Sequence, residues 1–569
     1  MKFANTTTVT TYTKSTEITT MKPTPGIVSQ LSTCRAFHAF GRFRVARVVL
    51  LATLLVAPAA AGQGRSYDLL IRNGTVVDGT GAPGRRADVA VEDGRIAGIG
   101  SLADARAPVE IDATGLVVAP GFIDVHTHAD DLDEQPQAEH FLRMGVTTVV
   151  AGNCGGSSLP LGEALAKIER ARPALNYATL VGHNTVRRAV MDTARRPATA
   201  EELEQMRGLV RQAMRDGAVG FSTGLQYVPG TYAPTTEIVE LATVAGAEGG
   251  VYASHMRNEG TELEKAVAEA LQVGEAARCP VQISHLKVDS PANWGASAKA
   301  LAMIDAARRK GMDVQADQYA YSAASSSLGI RFPSWALEGG QDAIDKRLDD
   351  PDTWARIRTE MRGLIRERGL EEYDFAVVAQ YRPDPTRNGL SIKQIARREK
   401  GTDDLDTQLE VMREMLRAGG ASMVYHFMSE SDITRIMRHP YVAFASDSSL
   451  NRLNEGVPHP RGYGNTARVL GRYVRDEKVI ALAEAVRKMT SLPAAHFGFG
   501  DRGVLAAGRA ADIVIFDPAR VADTATYERP HQYATGFAHV LVNGLPVIRD
   551  GQMTGARAGR VLRGGAYRP

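Results

Sequence analysis

Eight short apolar, β-branched runs, each followed by a stretch with helical periodicity, predict an α/β fold whose parallel strands close into a (β/α)8, TIM-like barrel. Two further observations complete the expectation. The two ends of the chain echo one another in strand-like runs, so a small β-sandwich domain built from both is expected. About 120 residues separate the seventh run from the eighth, several times an ordinary βα unit, so a helical insertion is expected there.

The end domain comes first. "LLIRNGTVVDG" (69–79) and "VLVNGLPVIRDG" (540–551) are punctuated by Asn-Gly and Asp-Gly, dipeptides suited to hairpin turns that need φ > 0. "ADVAVEDGRIAGIG" and "ADIVIFDP" add further strands. Boundaries of 62–118 and 501–569 are expected for the two parts of this domain, and 119–500 for the barrel. The barrel strands are expected to end at "GFIDVHTHAD", "TTVVAGNCG", "ATLVGHN", "AVGFSTG", "VYASHMR", "VQISHLK", "DVQADQYAY" and "VAFASDS". The insertion, at about 335–420, contains "WARIRTEMRGLIRERGLEEYD", whose charges a solvated helix face explains.

Residues 1–61 are excluded from the fold. They carry seven Lys or Arg and a single acid, Glu17, and run into "VARVVLLATLLVAPAAAGQG" (45–64). That is an apolar core of secretory length followed by an A-x-A-type cleavage signal, too short for a membrane span. A secreted or periplasmic mature protein is expected, and a start at Met21 or later fits a leader of ordinary length. Removal leaves 60 basic against 64 acidic residues, with no electrostatic footprint for nucleic acid or an anionic membrane. The remaining cysteines are Cys154 and Cys279, too few for a disulfide framework.

Cys154 taken alone reads as packing, because free cysteine behaves as a small hydrophobe. Its company changes that reading. His126 and His128 follow the first strand, on the same side of an extended chain. The second strand offers Cys154, the fifth His255, the sixth His285 and the eighth Asp447. Several separate strands thus end in metal-ligand residue types at the face where barrels place their sites. Imidazole, thiolate and carboxylate together suit Zn²⁺ with a position left for water. Each has a blander alternative: a hydrogen-bonded core histidine for His255 or His285, a helix cap for Asp447.

The sequence resembles the amidohydrolase superfamily and, within it, the N-acyl-D-amino-acid deacylase (D-aminoacylase) family. The matching pieces are "GFIDVHTHAD", "VVAGNCG", "VGHNTVR", "GFSTGLQYVPGTYA", "YASHMRNEG", "ISHLK", "HPRGYG" and "VRKMTSLPAAHFG", spread over nearly the whole mature chain. The resemblance implies a principal zinc on Cys154, His255 and His285, with His126 and His128 at a second, weaker site. It makes Asp447 the catalytic acid/base. Tyr227, Lys287, Tyr319, Ser325 and Arg461 become the residues that bind the substrate, chiefly its carboxylate, and His183 an oxyanion support or a structural residue behind the site. Tyr319 and Tyr321 alternate faces, so one of them reaches the site. Two positions depart from the family pattern: Ala320 stands where proline is more usual, and "GYGNTARVL" differs from the common form.

The expected activity is zinc-dependent hydrolysis of the amide of a small-molecule N-acyl-D-amino acid, with the insertion as a lid. The alternatives are a dipeptidase for peptides ending in a D-residue, a hydantoinase- or dihydroorotase-like cyclic amidase, and a non-catalytic binding barrel.

Overall fold

The computed structural model describes residues 65–568; the leader expected over residues 1–61 lies outside them. Eight barrel strands appear in the expected order: Phe122–Asp124, Val146–Ala151, Asn176–Thr179, Gly220–Gly224, Val251–His255, Val281–Ile283, Val314–Gln318 and Val442–Phe444. Neighbours pair in parallel around the ring, the third strand reaching the fourth through its continuation Val181–Gly182. The first and last strands meet just beyond their ends, where Thr127–His128 pairs in parallel with Ser448–Ser449. Closure therefore falls on segments that carry candidate site residues.

Period-two alternation decides which side chains face inward. Ile123, Val150, Ala178, Val251, Ala253 and Ala443 share an inner cluster with Leu492, Phe497 and Phe499. Their sequence neighbours Phe122, Val149, Tyr177, Tyr252, Val442 and Phe444 pack outward against the helices. The alanines suit a narrow barrel interior. His255 continues the inward row of Val251 and Ala253, which aims its ring into the barrel mouth.

The insertion is not purely helical, and it is longer than the sequence suggests. It opens with strand Ala323–Ser327 and ends with strand Ser422–His426, which pairs antiparallel with that strand and with Ala376–Gln380. Between them lie helices whose starts are written locally. Asp350 caps Pro351–Glu367, Ser391 and Gln394 form a capping box on Ile392–Lys400, and Asp404 caps Leu405–Arg417. The small polar run "AASSS" gives no apolar signal for its strand, so it takes its conformation from the partner it pairs with.

The end segments form one connected sheet of nine strands. The halves join where Val117–Pro120 pairs antiparallel with Ile513–Phe516. Asn543-Gly544, with φ of 46° and 85°, makes a hairpin turn between Val542 and Leu545 as expected. Asn73-Gly74 does not. It lies within strand Leu69–Val76 at a register shift, where Gly74 packs against Val118 and a turn would break the pairing.

Candidate active site

The second barrel strand ends in "AGNCGGS", and glycine governs its path. Gly152, Cys154 and Gly155 all have positive φ, and a Cβ on Gly152 would lie 2.1 Å from the Leu180 carbonyl oxygen. Gly224, at the end of the fourth strand, would bring a Cβ within 2.0 Å of the Cys154 carbonyl oxygen. His285 and Asp447 also have positive φ, at 35° and 51°. Three non-glycine residues in this uncommon region, all at the same barrel mouth, mark a site whose geometry the surrounding structure imposes.

Their side chains converge. Cys154 Sγ lies 3.3 Å from His126 Nε2 and 3.5 Å from His285 Nε2. Asp447 Oδ1 lies 3.4 Å from His126 Nε2 and 3.2 Å from His128 Nε2. Two groups of metal-ligand atoms result, each within 4.8 Å: His126, His128, Cys154 and Asp447, and Cys154, His255 and His285. His255 is buried, yet neither ring nitrogen has a hydrogen-bond partner among the described residues. A satisfied core histidine would not look like this. A soft thiolate, imidazoles and a carboxylate with lone pairs turned on one point fit a zinc ion.

Surrounding charges set the protonation states. Burial opposes ionisation of Cys154, but the imidazoles of His126 and His255 outweigh it and draw the thiol far below its ordinary range. Burial likewise opposes ionisation of Asp447. The Arg461 guanidinium, 2.8 Å from Oδ2, and the imidazoles of His126 and His285 overcome it and hold the carboxyl well below the usual carboxylate range.

Buried carboxylates orient the imidazoles. Asp124 accepts from the N–H groups of His126 and Ser446, and the Asp447 N–H donates to the His126 carbonyl. Asp317 Oδ1 accepts from the His285 N–H and lies 3.2 Å from His126 Nδ1. Glu259 Oε1 lies 2.9 Å from His285 Nδ1. With Nδ1 of each ring turned toward these carboxylates, Nε2 of each ring faces Cys154 and the site.

The group opens into a cavity of about 740 Å³. His128, Tyr227, His255, His285, Lys287, Tyr319, Ser325, Asp447 and Arg461 all line it, while His126 and Cys154 lie beneath its floor. The Arg461 guanidinium rests over the Tyr319 ring, 4.5 Å from its centre. Tyr321 points away, its hydroxyl donating to Asp523. Ser325 donates to the Met423 carbonyl and Tyr227 shares a hydrogen bond with Ser326, so both stand on or against the insertion sheet. Lys287 is more engaged than expected: its Nζ donates to Glu259 at 2.7 Å and lies 2.8 Å from His285 Nδ1. His183 is not on the cavity wall. Its ring turns to Glu237, 2.9 Å away and shared with Arg187, so the oxyanion reading falls and a structural role remains.

The sequence reading missed Glu259, Asp317, Asp124 and Arg331. Two of the acids had a signal, as Glu259 and Asp124 lie within four residues of a named ligand ("HMRNEG", "FIDVH"), and Asp317 sits in a strand the sequence reading placed in the barrel ("VQADQ"). Arg331 had none. It comes from the insertion, buried on the cavity wall with its guanidinium over the rings of Tyr425 and Phe427 at 4.2 and 5.2 Å. Its Nε has no hydrogen-bond partner among the described residues.

A barrel with two imidazole-rich groups sharing a thiolate, and an acid beside them at the carboxyl mouth, defines a metal-dependent hydrolase. The chain belongs to the amidohydrolase family, which residues 109–548 match. It is 39% identical to a D-aminoacylase of Alcaligenes xylosoxydans xylosoxydans over 520 residues, covering 87% of this chain and 97% of that protein. It is 40% identical over 521 residues to an N-acyl-D-glutamate deacylase of the same organism, covering 87% and 96%. Among solved structures it resembles the N-acyl-D-glutamate deacylase of Bordetella bronchiseptica, complexed with zinc and a phosphonate inhibitor that mimics the tetrahedral intermediate. That likeness has a TM-score of 0.76 at 38% identity and covers 88% of this chain and all of that one.

Proposed function

We propose that the chain hydrolyses the amide of N-acyl-D-amino acids with zinc, releasing a carboxylate and a D-amino acid. The observation that carries this reading is the Cys154, His255 and His285 group set against Asp447 and Arg461 at the cavity floor, in a chain that resembles deacylases over most of its length. Cys154, His255 and His285 would hold the principal zinc, and His126 and His128, beside Asp447, a second and weaker one. Bound there, zinc supplies Lewis-acid polarisation of the acyl carbonyl and lowers the pKa of a water.

The chain's own groups do the rest. Asp447 Oδ2 is held by Arg461, and Oδ1, turned toward the His126 and His128 rings over the metal group, is the oxygen placed to accept the attacking water's proton and pass one to the departing amine. The donors of Arg461 that do not face Asp447 are suited to the substrate's α-carboxylate, with Tyr319 fixing the plane of the guanidinium. Tyr227 and Ser325 bound the same space. This places the stereocentre relative to the reacting carbonyl.

Arg331 supports a finer reading, that the preferred side chain is acidic. A buried guanidinium whose neighbours on the cavity wall are rings leaves a cation for the ligand to pair with. The secreted or periplasmic location expected from residues 1–61 belongs to the proposal, as does a sandwich-like closure of the end sheet. The closure is supported by one apolar cluster that draws Leu69, Val89, Ile111, Ile513 and Leu541 from five different strands.

The test is a hydrolysis assay on zinc-loaded protein with N-acetyl-D- and N-acetyl-L-amino acids, a D-terminal dipeptide and a hydantoin. Release of D-glutamate or D-aspartate from the N-acetyl forms, with the L-forms inert, is expected. Faster cleavage of the dipeptide moves the acyl preference alone, whereas cleavage of the hydantoin with no deacylation overturns the reading. Arg331→Leu should lower the preference for N-acetyl-D-glutamate over N-acetyl-D-leucine by at least ~30-fold, about 2 kcal/mol for a lost buried charge pair.

A further inference from the structure

Three groups that the proposed function brings together belong to three separate stretches of chain. Tyr319 follows the seventh barrel strand, Asp447 follows the eighth, and Arg461 begins helix Arg461–Arg468. All three line the cavity, and each bears on the next: guanidinium over ring, guanidinium on carboxylate. One side chain beneath them touches all three stretches. Asn465, in the second turn of the helix and 1% exposed, accepts from the Ala320 N–H at 2.9 Å. Its Nδ2 donates to the Ala445 carbonyl, also at 2.9 Å. Ala320 is next to Tyr319, and Ala445 is two residues before Asp447. Residue 320 can take part because it is alanine; a proline there has no N–H to give.

The helix around Asn465 is seated at the same height. A Cβ on Gly462 would lie 2.4 Å from Ser448 Oγ, and one on Gly464 2.5 Å from the Tyr321 hydroxyl. Thr466 donates to the Met144 carbonyl, and the Arg461 N–H donates to His459 Nδ1. These contacts fix where the helix lies. The Asn465 amide, accepting at Oδ1 and donating from Nδ2, hydrogen-bonds the backbone of both strand ends that carry Tyr319 and Asp447.

We propose that Asn465 is a positioning residue for substrate-carboxylate recognition: it sets the Arg461 guanidinium against Tyr319 and Asp447. The inference rests on the deacylase reading. Losing the amide leaves a buried N–H and a buried carbonyl unpaired and lets the helix settle differently on the strand ends. The first property to suffer is the fit of Arg461 to the α-carboxylate.

The experiment compares wild type, Asn465→Ala and Asn465→Asp, all zinc-loaded, on N-acetyl-D-glutamate and on the analogue whose α-carboxylate is a carboxamide. Asn465→Ala should raise KM for the acid about 10-fold with a smaller change in kcat, and shrink the acid-over-carboxamide preference by a similar factor. Its zinc content should stay at the wild-type level. Asn465→Asp keeps the acceptor for the Ala320 N–H and should fall between the two; it also carries the test if the alanine variant does not fold. A merely structural role lowers the melting temperature and leaves KM and the preference of the folded protein where they were. That result, or a change accompanied by zinc loss, overturns the proposal. A wild type that deacylates nothing overturns the deacylase reading itself.

Discussion

Cys154 holds its backbone at φ 53°, a conformation that costs a non-glycine residue about 1 kcal/mol or more and that core packing alone does not require. Its sulfur stands between the nitrogens of His126 and His285, and the positive charge of neighbouring imidazoles favours the thiolate. Cys154→Ala should therefore lower zinc content together with activity; metal analysis of the purified variant checks this, and normal zinc with normal turnover would return the residue to core packing. Asp447 supports a contrasting variant. Asparagine has nearly its shape and can still meet Arg461, but it cannot take up the water's proton. Asp447→Asn should fold, keep the principal zinc and lose at least ~10² in turnover, measured as kcat at fixed zinc occupancy. At this scale the sequence was most readable where chemistry forces a residue type, since ligands must be His, Cys or an acid. It was least readable for Arg331. Arginine on a charged insertion is ordinary, and only the folded chain shows that this one is buried over aromatic rings on the cavity wall.

The elements show where periodicity suffices and where contact is needed. The eight barrel strands are legible because most are apolar runs, all are buried on both faces, and helices alternate with them. The insertion's helices are legible through their caps, but strand Ala323–Ser327 exists because Ser422–His426 lies beside it, and pairing partners a hundred residues apart leave no local trace. Asn73-Gly74 misled for a related reason: the same dipeptide serves a hairpin or a bulge, and the neighbouring strand decides. The close approach of Gly224 to the Cys154 loop is another fact invisible along the chain, and it makes a prediction. A Cβ there meets backbone, which cannot move aside as a flexible side chain would. Gly224→Ala should cost about 1–3 kcal/mol by overpacking and displace Cys154, so that zinc affinity falls along with the unfolding midpoint. A chelator-competition titration reads the first and a denaturant melt the second; a variant with lower stability but unchanged zinc affinity would mean that the loop repacks without moving the thiolate.

Across the whole molecule, the fold class followed from the order of elements, whereas the fastening of the end sheet to the barrel did not. That fastening is polar and buried. Asp512, just before the strand Ile513–Phe516 that joins the halves of the sheet, accepts from the Asn543 N–H and from Asn176 Nδ2, and pairs with Arg502. Asn176 begins the third barrel strand, and its Oδ1 accepts from Asn543 Nδ2 and from the Arg560 N–H of the returning C-terminal segment. The Gly121 N–H, just before the first barrel strand, donates to the Asp512 carbonyl. Asp512 and Asn176 together thus gather barrel, sheet and tail. Such a network contributes little compared with a well-packed apolar replacement, yet losing one member is costly because its partners stay buried without it. Asp512→Ala strands Arg502, which is only 6% exposed, although Asp501 still faces that guanidinium at 3.0 Å from the solvent side. The cost should then sit at the low end for a broken buried pair, about 3 kcal/mol. Asp512→Asn keeps one of the two acceptors, either for the Asn543 N–H or for Asn176 and Arg502, and should cost less than alanine. The site lies at the opposite, carboxyl end of the strands, so turnover and zinc content of the folded variants should match wild type at low temperature while the unfolding midpoints fall in the order wild type, Asn, Ala. If Asp512→Ala unfolds at the wild-type midpoint, the apolar face of the sheet is what holds it to the barrel, and the buried polar cluster sets only its register.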